Sequence, residues 1–170
     1  MKRIKILYLL VIMMIAGKGF GQVGEIVSPV NVMNEQDQSV SLPGLGEKNI
    51  LIFYADPSHP RQNKDFRDYF KTHPIKSPYI ESYGVVNMAA APLIPNAMIR
   101  KMAVKETKGT DAKVYFDPDE TLSTAWKLPG ANKNFTVIFV NKDRKIVFYK
   151  AGQLTQAEQQ QLMDLLKKYE

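Results

Sequence analysis

ILIFYADPSHPRQNKDFRDYFK, residues 50–71, is the stretch on which the fold turns. Ile50 to Tyr54 is an unbroken apolar run, mostly of β-branched and aromatic side chains, the composition of a central strand. Asp56-Pro57 breaks it. Aspartate caps helices, and proline suits a first helical position because the N–H it lacks would be unpaired there anyway, so the pair predicts a helix start. Phe66, Tyr69 and Phe70 recur at i, i+3 and i+4 and give that helix one apolar face. Strand-to-helix junctions gather backbone N–H groups and are common seats of chemistry. This junction carries Ser58-His59-Pro60-Arg61 and no sulfur.

Far upstream, Lys2, Arg3 and Lys5 precede an apolar run from Ile6 to Ala16, and Gly19 and Gly21 set small residues before Gln22. The pattern predicts a cleavable signal peptide over residues 1–21, with an apolar run too short to cross a bilayer comfortably. An uncleaved membrane anchor is the alternative. The absence of cysteine after the run argues against a lipoprotein. The expected mature chain is residues 22–170, a single domain in the bacterial periplasm with no stable membrane insertion after cleavage. The formal charge of +6 includes Lys2, Arg3, Lys5 and Lys18, so the mature chain carries 6 − 4 = +2. The remaining basic residues alternate with acids, so nucleic acid is not an expected partner. With no cysteine, thiol–disulfide exchange, disulfides and thiolate-bound metal are excluded, and His59 and His73 are too few for a histidine zinc site. Neither a metal nor another cofactor is expected.

Around the central stretch the elements fall in order. Val23–Pro43 alternates apolar residues about a polar turn at Asn34–Asp37, a β-hairpin. Thr72 to Tyr83 holds Pro74 and Pro78 and reads as irregular, followed by a buried strand over Tyr83–Met88. Ala89–Pro95 reads as a loop, and Ala97–Lys105 as a helix with Met98, Ile99, Met102 and Ala103 on one side. A strand at Ala112–Phe116, a short helix at Leu122–Trp126, a hairpin at Asn134–Tyr149 and a final helix complete the chain. Thr155 and Glu158 form a capping box ahead of that helix, whose stripe is Leu162, Leu165, Leu166 and Tyr169. The class is α/β with a mixed sheet flanked by helices and an N-terminal hairpin extension.

This order resembles the thioredoxin-like fold of the peroxiredoxin and thiol-reductase branch, from about Gly24 to Lys168. Phe53-Tyr54-Ala55 sits where that branch has an aromatic run before its redox motif. The resemblance places Ser58 and Arg61 at the two cysteine positions and Phe135 at or beside the cis-proline position. Tyr54-Ala55-Asp56-Pro57, Val86-Asn87-Met88-Ala89, Pro95-Asn96, Phe148–Leu154 and the Glu158–Leu166 helix are similar to the YtfJ family, exported bacterial thioredoxin-like proteins. That resemblance implies the fold and the compartment and carries no catalytic residue with it.

Candidate chemistry follows from these positions. A serine nucleophile at Ser58 would need an adjacent base, and His59, its chain neighbour, does not face it on a helix. Ser58, His59 and Arg61 at a helix start could instead hold an anion through free N–H groups and the Arg61 fork. Tyr54, Asn87, Asn96 and Asn134 could line a cleft at the strand ends, or satisfy local turns. Asp117-Pro118-Asp119-Glu120 lacks the ligand spacing and glycine of a calcium loop and reads as a helix cap. Met88, Met98, Met102 and Met163 read as core filler, and Trp126 and Leu128 as packing for the short helix. The ligand-binding cleft is therefore expected at Tyr54, Asp56, Ser58, His59, Arg61, Asn87, Asn96 and Phe135. The expected role is a non-catalytic binding module of the envelope, its partner an envelope protein, a peptide or a small anion. An enzyme using non-thiol chemistry at Ser58 and an assembly factor docking through a sheet edge are the alternatives.

Overall fold

The computed structural model describes residues 22–170; the expected signal peptide lies outside the described residues. The apolar run becomes β3 (Asn49–Ala55), and the strand sits near the middle of a sheet ordered β2-β1-β5-β4-β3-β6-β7. Its neighbours are β4 (Ile80–Asn87), parallel, and β6 (Thr136–Val140), antiparallel. Ile50, Ile52 and Tyr54 point to one face and Leu51, Phe53 and Ala55 to the other. Both faces are covered, which is why the strand needed an unbroken apolar run.

The hairpin β1 (Asn31–Met33) and β2 (Ser39–Ser41) joins one side through β1 and β5 (Lys113–Asp117), and β7 (Ile146–Ala151) pairs with β6 on the other. On one face lie α1 (Lys64–Thr72), α2 (Asn96–Thr107) and α4 (Gln156–Tyr169). The other face packs α3 (Thr121–Ala125), Trp126, Leu128 and the segment from Val27 to Leu42. Trp126 anchors that layer, its indole N–H donating to Ser28 O at 2.8 Å.

Four expectations need correcting. The helix does not begin at Asp56-Pro57. Residues 57–63 run through turns and α1 starts at Lys64, because Asp56 uses its carboxylate on a local turn instead of on a helix end. β4 begins at Ile80, so only residues up to Tyr79 are irregular; register with β3 carries the strand past the expected boundary. Ala89–Pro95 is not all loop, since Met88–Ala90 form a 3₁₀ turn. Among the methionines, Met88 is buried, but Met98 and Met102 are 56% and 54% exposed, because α2 presents only Ile99 fully to the core. No helix among the described residues is long and apolar enough to cross a membrane.

The capping box at α4 is formed as expected. Thr155 N–H donates to Glu158 Oε2 at 2.8 Å, and Glu158 N–H donates to Thr155 Oγ1 at 3.3 Å. Burial opposes the Glu158 charge, yet Lys150 Nζ, at 2.7 Å, and the Thr155 donors together hold the carboxyl below its ordinary value. A carboxyl depressed in the folded state stabilises above its unfolded pKa, and that contribution is lost as pH falls through the folded value. We therefore expect Glu158→Gln to cost stability at neutral pH and nothing at the acid end, in urea unfolding followed from pH 7 to pH 3. Thr155→Ala should cost about 1 kcal/mol at neutral pH in the same measurement.

Candidate functional site: a strand–helix junction without sulfur

Beyond the end of β3 the chain turns at Asp56, whose side chain is buried. Its Oδ1 accepts the Ser58 N–H at 2.7 Å, and Oδ2 lies 2.7 Å from His59 Nδ1. A carboxylate only accepts, so Nδ1 carries a proton, and in the neutral ring Nε2 is the acceptor, on a side chain 44% exposed. Ser58 Oγ donates to Ala90 O at 2.8 Å, tying the junction to the 3₁₀ turn after β4. The Ser58 proton is thus directed at a carbonyl and not at a base. The His59 N–H also turns back, to Asp56 O at 3.0 Å. The N–H groups of Ser58 and His59 are therefore engaged within the turn, and these residues stand ahead of α1 instead of in its first turn.

The next residues form a clasp that sequence reasoning missed. Gln62 Oε1 accepts the Phe135 N–H at 2.7 Å, and Gln62 Nε2 donates to Asn134 Oδ1 at 3.2 Å. Asn63, buried and at φ 53°, donates its N–H to Gln153 Oε1 at 2.9 Å and its Nδ2 to Gly152 O at 2.9 Å, and accepts the Leu154 N–H at 2.8 Å. Asparagine is among the few residues that take this left-handed geometry readily, and that tolerance was the only signal in the sequence. Every partner lies far along the chain.

Phe135, at the expected cis-proline position, is buried with its ring 6.2 Å from that of Phe53. No peptide bond among the described residues is cis. Tyr54 and Asn87 sit at the strand ends but beneath the surface. Tyr54 Oη donates to Asp117 Oδ2 at 3.0 Å, and burial followed by the Asp117 charge pushes the phenol well above its ordinary range. Asn87 accepts the Ala90 N–H at 3.2 Å and donates to Asn132 Oδ1 at 3.3 Å. Asn96 is exposed at the start of α2. Arg61 does not join Ser58 and His59: it borders a depression between α1 and α4 with Gln153, Gln156 and Gln160. Asp56, Pro57, Pro60 and Phe135 instead close one end of a cavity of about 440 Å³ between α1 and α2. Asp117 is a helix cap, its Oδ1 accepting the Thr121 N–H at 2.8 Å and its Oδ2 the Leu122 N–H at 2.9 Å.

A mixed sheet with this strand order, a helix after the central strand and a helix closing the chain define a thioredoxin-like fold. Solved structures agree. The chain is similar to a peroxiredoxin-like protein from Aquifex aeolicus (TM-score 0.62, 12% identity, 87% of each chain covered). It is similar to the pneumococcal exposed lipoprotein thioredoxin from Streptococcus pneumoniae (0.61, 15%, 83% of this chain and 99% of that one). It is also similar to the thioredoxin domain of a thiol-disulfide oxidoreductase from Bacteroides vulgatus (0.58, 17%, 87% and 98%). No family model matches the chain, and no curated protein matches it. Within this fold the present chain has no cysteine at all.

Asn63→Ala should remove the two side-chain hydrogen bonds, to Gly152 O and from the Leu154 N–H, while leaving the strained φ in place, lowering stability by about 2–3 kcal/mol in urea denaturation. Arg61→Ala, at an exposed position, should change it by less than about 0.5 kcal/mol. Asp117→Ala strands a buried hydroxyl and two N–H groups and should cost about 3 kcal/mol. Because donors already surround that carboxylate, millimolar calcium should leave the melting temperature of the unsubstituted protein unmoved.

Proposed function

We propose that this chain is a binding module of the bacterial cell envelope, akin to the YtfJ family, that uses a thioredoxin-like scaffold without redox or hydrolytic turnover. The observation that carries the reading is the disposition of Ser58. Where the fold's resemblance puts a thiol, the hydroxyl is directed at Ala90 O, and the nearest imidazole is held by Asp56 instead. A hydroxyl without a base is a poor nucleophile. Export is supported by the sequence pattern of residues 1–21.

The ligand is read as an extended peptide or a small anion at the junction where Asp56, Ser58 and His59 meet, at the end of the cavity that Asp56 and Phe135 line. The peptide is the better fit. A small anion would rely on a helix N-terminus, and α1 begins at Lys64, beyond Ser58 and His59. A peptide can use the half-exposed His59 ring and the nearby turns as separate contacts.

Backbone amide shifts in a two-dimensional nuclear magnetic resonance titration with short extended peptides and with inorganic phosphate test the reading. The expected result is saturable change at Asp56–His59, Ala90 and Phe135, weakened at least tenfold by His59→Ala. Turnover of disulfide, peroxide or ester that disappears in Ser58→Ala would replace the binding module with an enzyme.

A further inference from the structure

The cavity between α1 and α2 lays bare the centre of the sheet. Its floor is the even-numbered face of β4, with Ile80, Ser82, Gly84 and Val86 in a row. The six residue steps from Ile80 to Val86 make that floor roughly 20 Å long. Gly84 lies in an interior strand of a seven-stranded sheet and is still only partly covered. A glycine in such a place marks a close approach by another group. Phe53 and Phe70 form one wall, and Ile99, Met102 and Ala103 the other. The volume of about 440 Å³ falls within the usual range for small-molecule sites.

One end of this apolar trough holds a cation. Arg67, on α1, places its guanidinium 5.2 Å from the centre of the Phe135 ring, and its Nη2 donates to Pro60 O at 2.6 Å. Its Nε is buried with no hydrogen-bond partner. Among the described residues Arg67 forms no ion pair, whereas Lys71 on the same helix is matched by Asp68 and Glu106. Asp56 borders the same end, but its two oxygens are directed at the Ser58 N–H and the His59 ring. An unfilled N–H on an arginine stacked against an aromatic ring calls for a planar anion, and carboxylate matches it.

We infer that the α1–α2 trough binds a linear apolar chain ending in a carboxylate, with the chain over Gly84 and Ser82 and the carboxylate at Arg67. The ligand class is a free long-chain carboxylate. This goes beyond the peptide-binding mouth and fails separately from it. The mouth is read out by the Asp56–His59 amides and His59→Ala, the trough by substitutions on its floor.

A titration with the fluorescent polyene carboxylate cis-parinaric acid, followed by competition with dodecanoate and dodecanol, tests it. Saturable binding is expected, with dodecanoate displacing the probe and dodecanol at least about tenfold weaker, the worth of one charge-assisted hydrogen bond. Gly84→Leu should abolish binding, and the backbone has room for its branch, since a Cβ at Gly84 meets nothing closer than 3.9 Å. Ser82→Leu is the second blocking variant if Gly84→Leu melts early. Arg67→Gln should weaken dodecanoate about tenfold and leave dodecanol unchanged. Unsaturable binding, equal affinity for the alcohol, full binding by both blocked variants, or better displacement by an apolar peptide with an amidated C-terminus would each overturn the inference.

Discussion

Gln62 and Asn63 hold three separate parts of the chain in register. Between them they tie the segment after β3 to the start of β6 and to the turn between β7 and α4. The partners lie 72 to 91 residues away in sequence, so this clasp closes long loops of the fold at one place. It also sets where α1 can begin. Once Asn63 is fixed at φ 53° with its side chain in the β7–α4 turn, the helix has to follow it, at Lys64.

That placement governs the chemistry of the junction. A low thiol pKa owes much to the partial positive charge at a helix N-terminus. Here Ser58 stands before a run of turns, with its N–H on Asp56 and its hydroxyl on Ala90 O. The loss is therefore not confined to two sulfur atoms. The donors that would stabilise an anion are turned to holding loops together, and the His59 ring at this junction stays half-exposed to solvent.

The sheet was legible because its signals are local. The apolar run of β3, the alternation of the two hairpins and the capping box of α4 each lie within a few residues, and each forms as expected. The start of α1 was not legible, because Asp56-Pro57 carries the marks of a cap, while the local turn on the Asp56 carboxylate and the distant contacts of Asn63 together place the helix later. Asp117 shows the opposite case: its helix-cap reading needed only neighbours four and five residues on. The candidate site was legible in part. Asp56, Ser58 and His59 do meet, but Tyr54 and Asn87 serve the interior and Arg61 faces another side, differences that depend on packing between strands. Helical spacing placed Met98 and Met102 on an inward face, yet spacing cannot say whether a neighbour stands opposite. Opposite Met102 there is a trough.

Native-state hydrogen exchange on the Phe135 and Leu154 amides tests the clasp most directly, since their acceptors are the side chains of Gln62 and Asn63. If the clasp organises the fold, both amides exchange only through opening close to global unfolding, and Gln62→Ala and Asn63→Ala release Phe135 and Leu154 respectively. Fast exchange of both amides in the unsubstituted protein, at rates typical of surface loops, would contradict it.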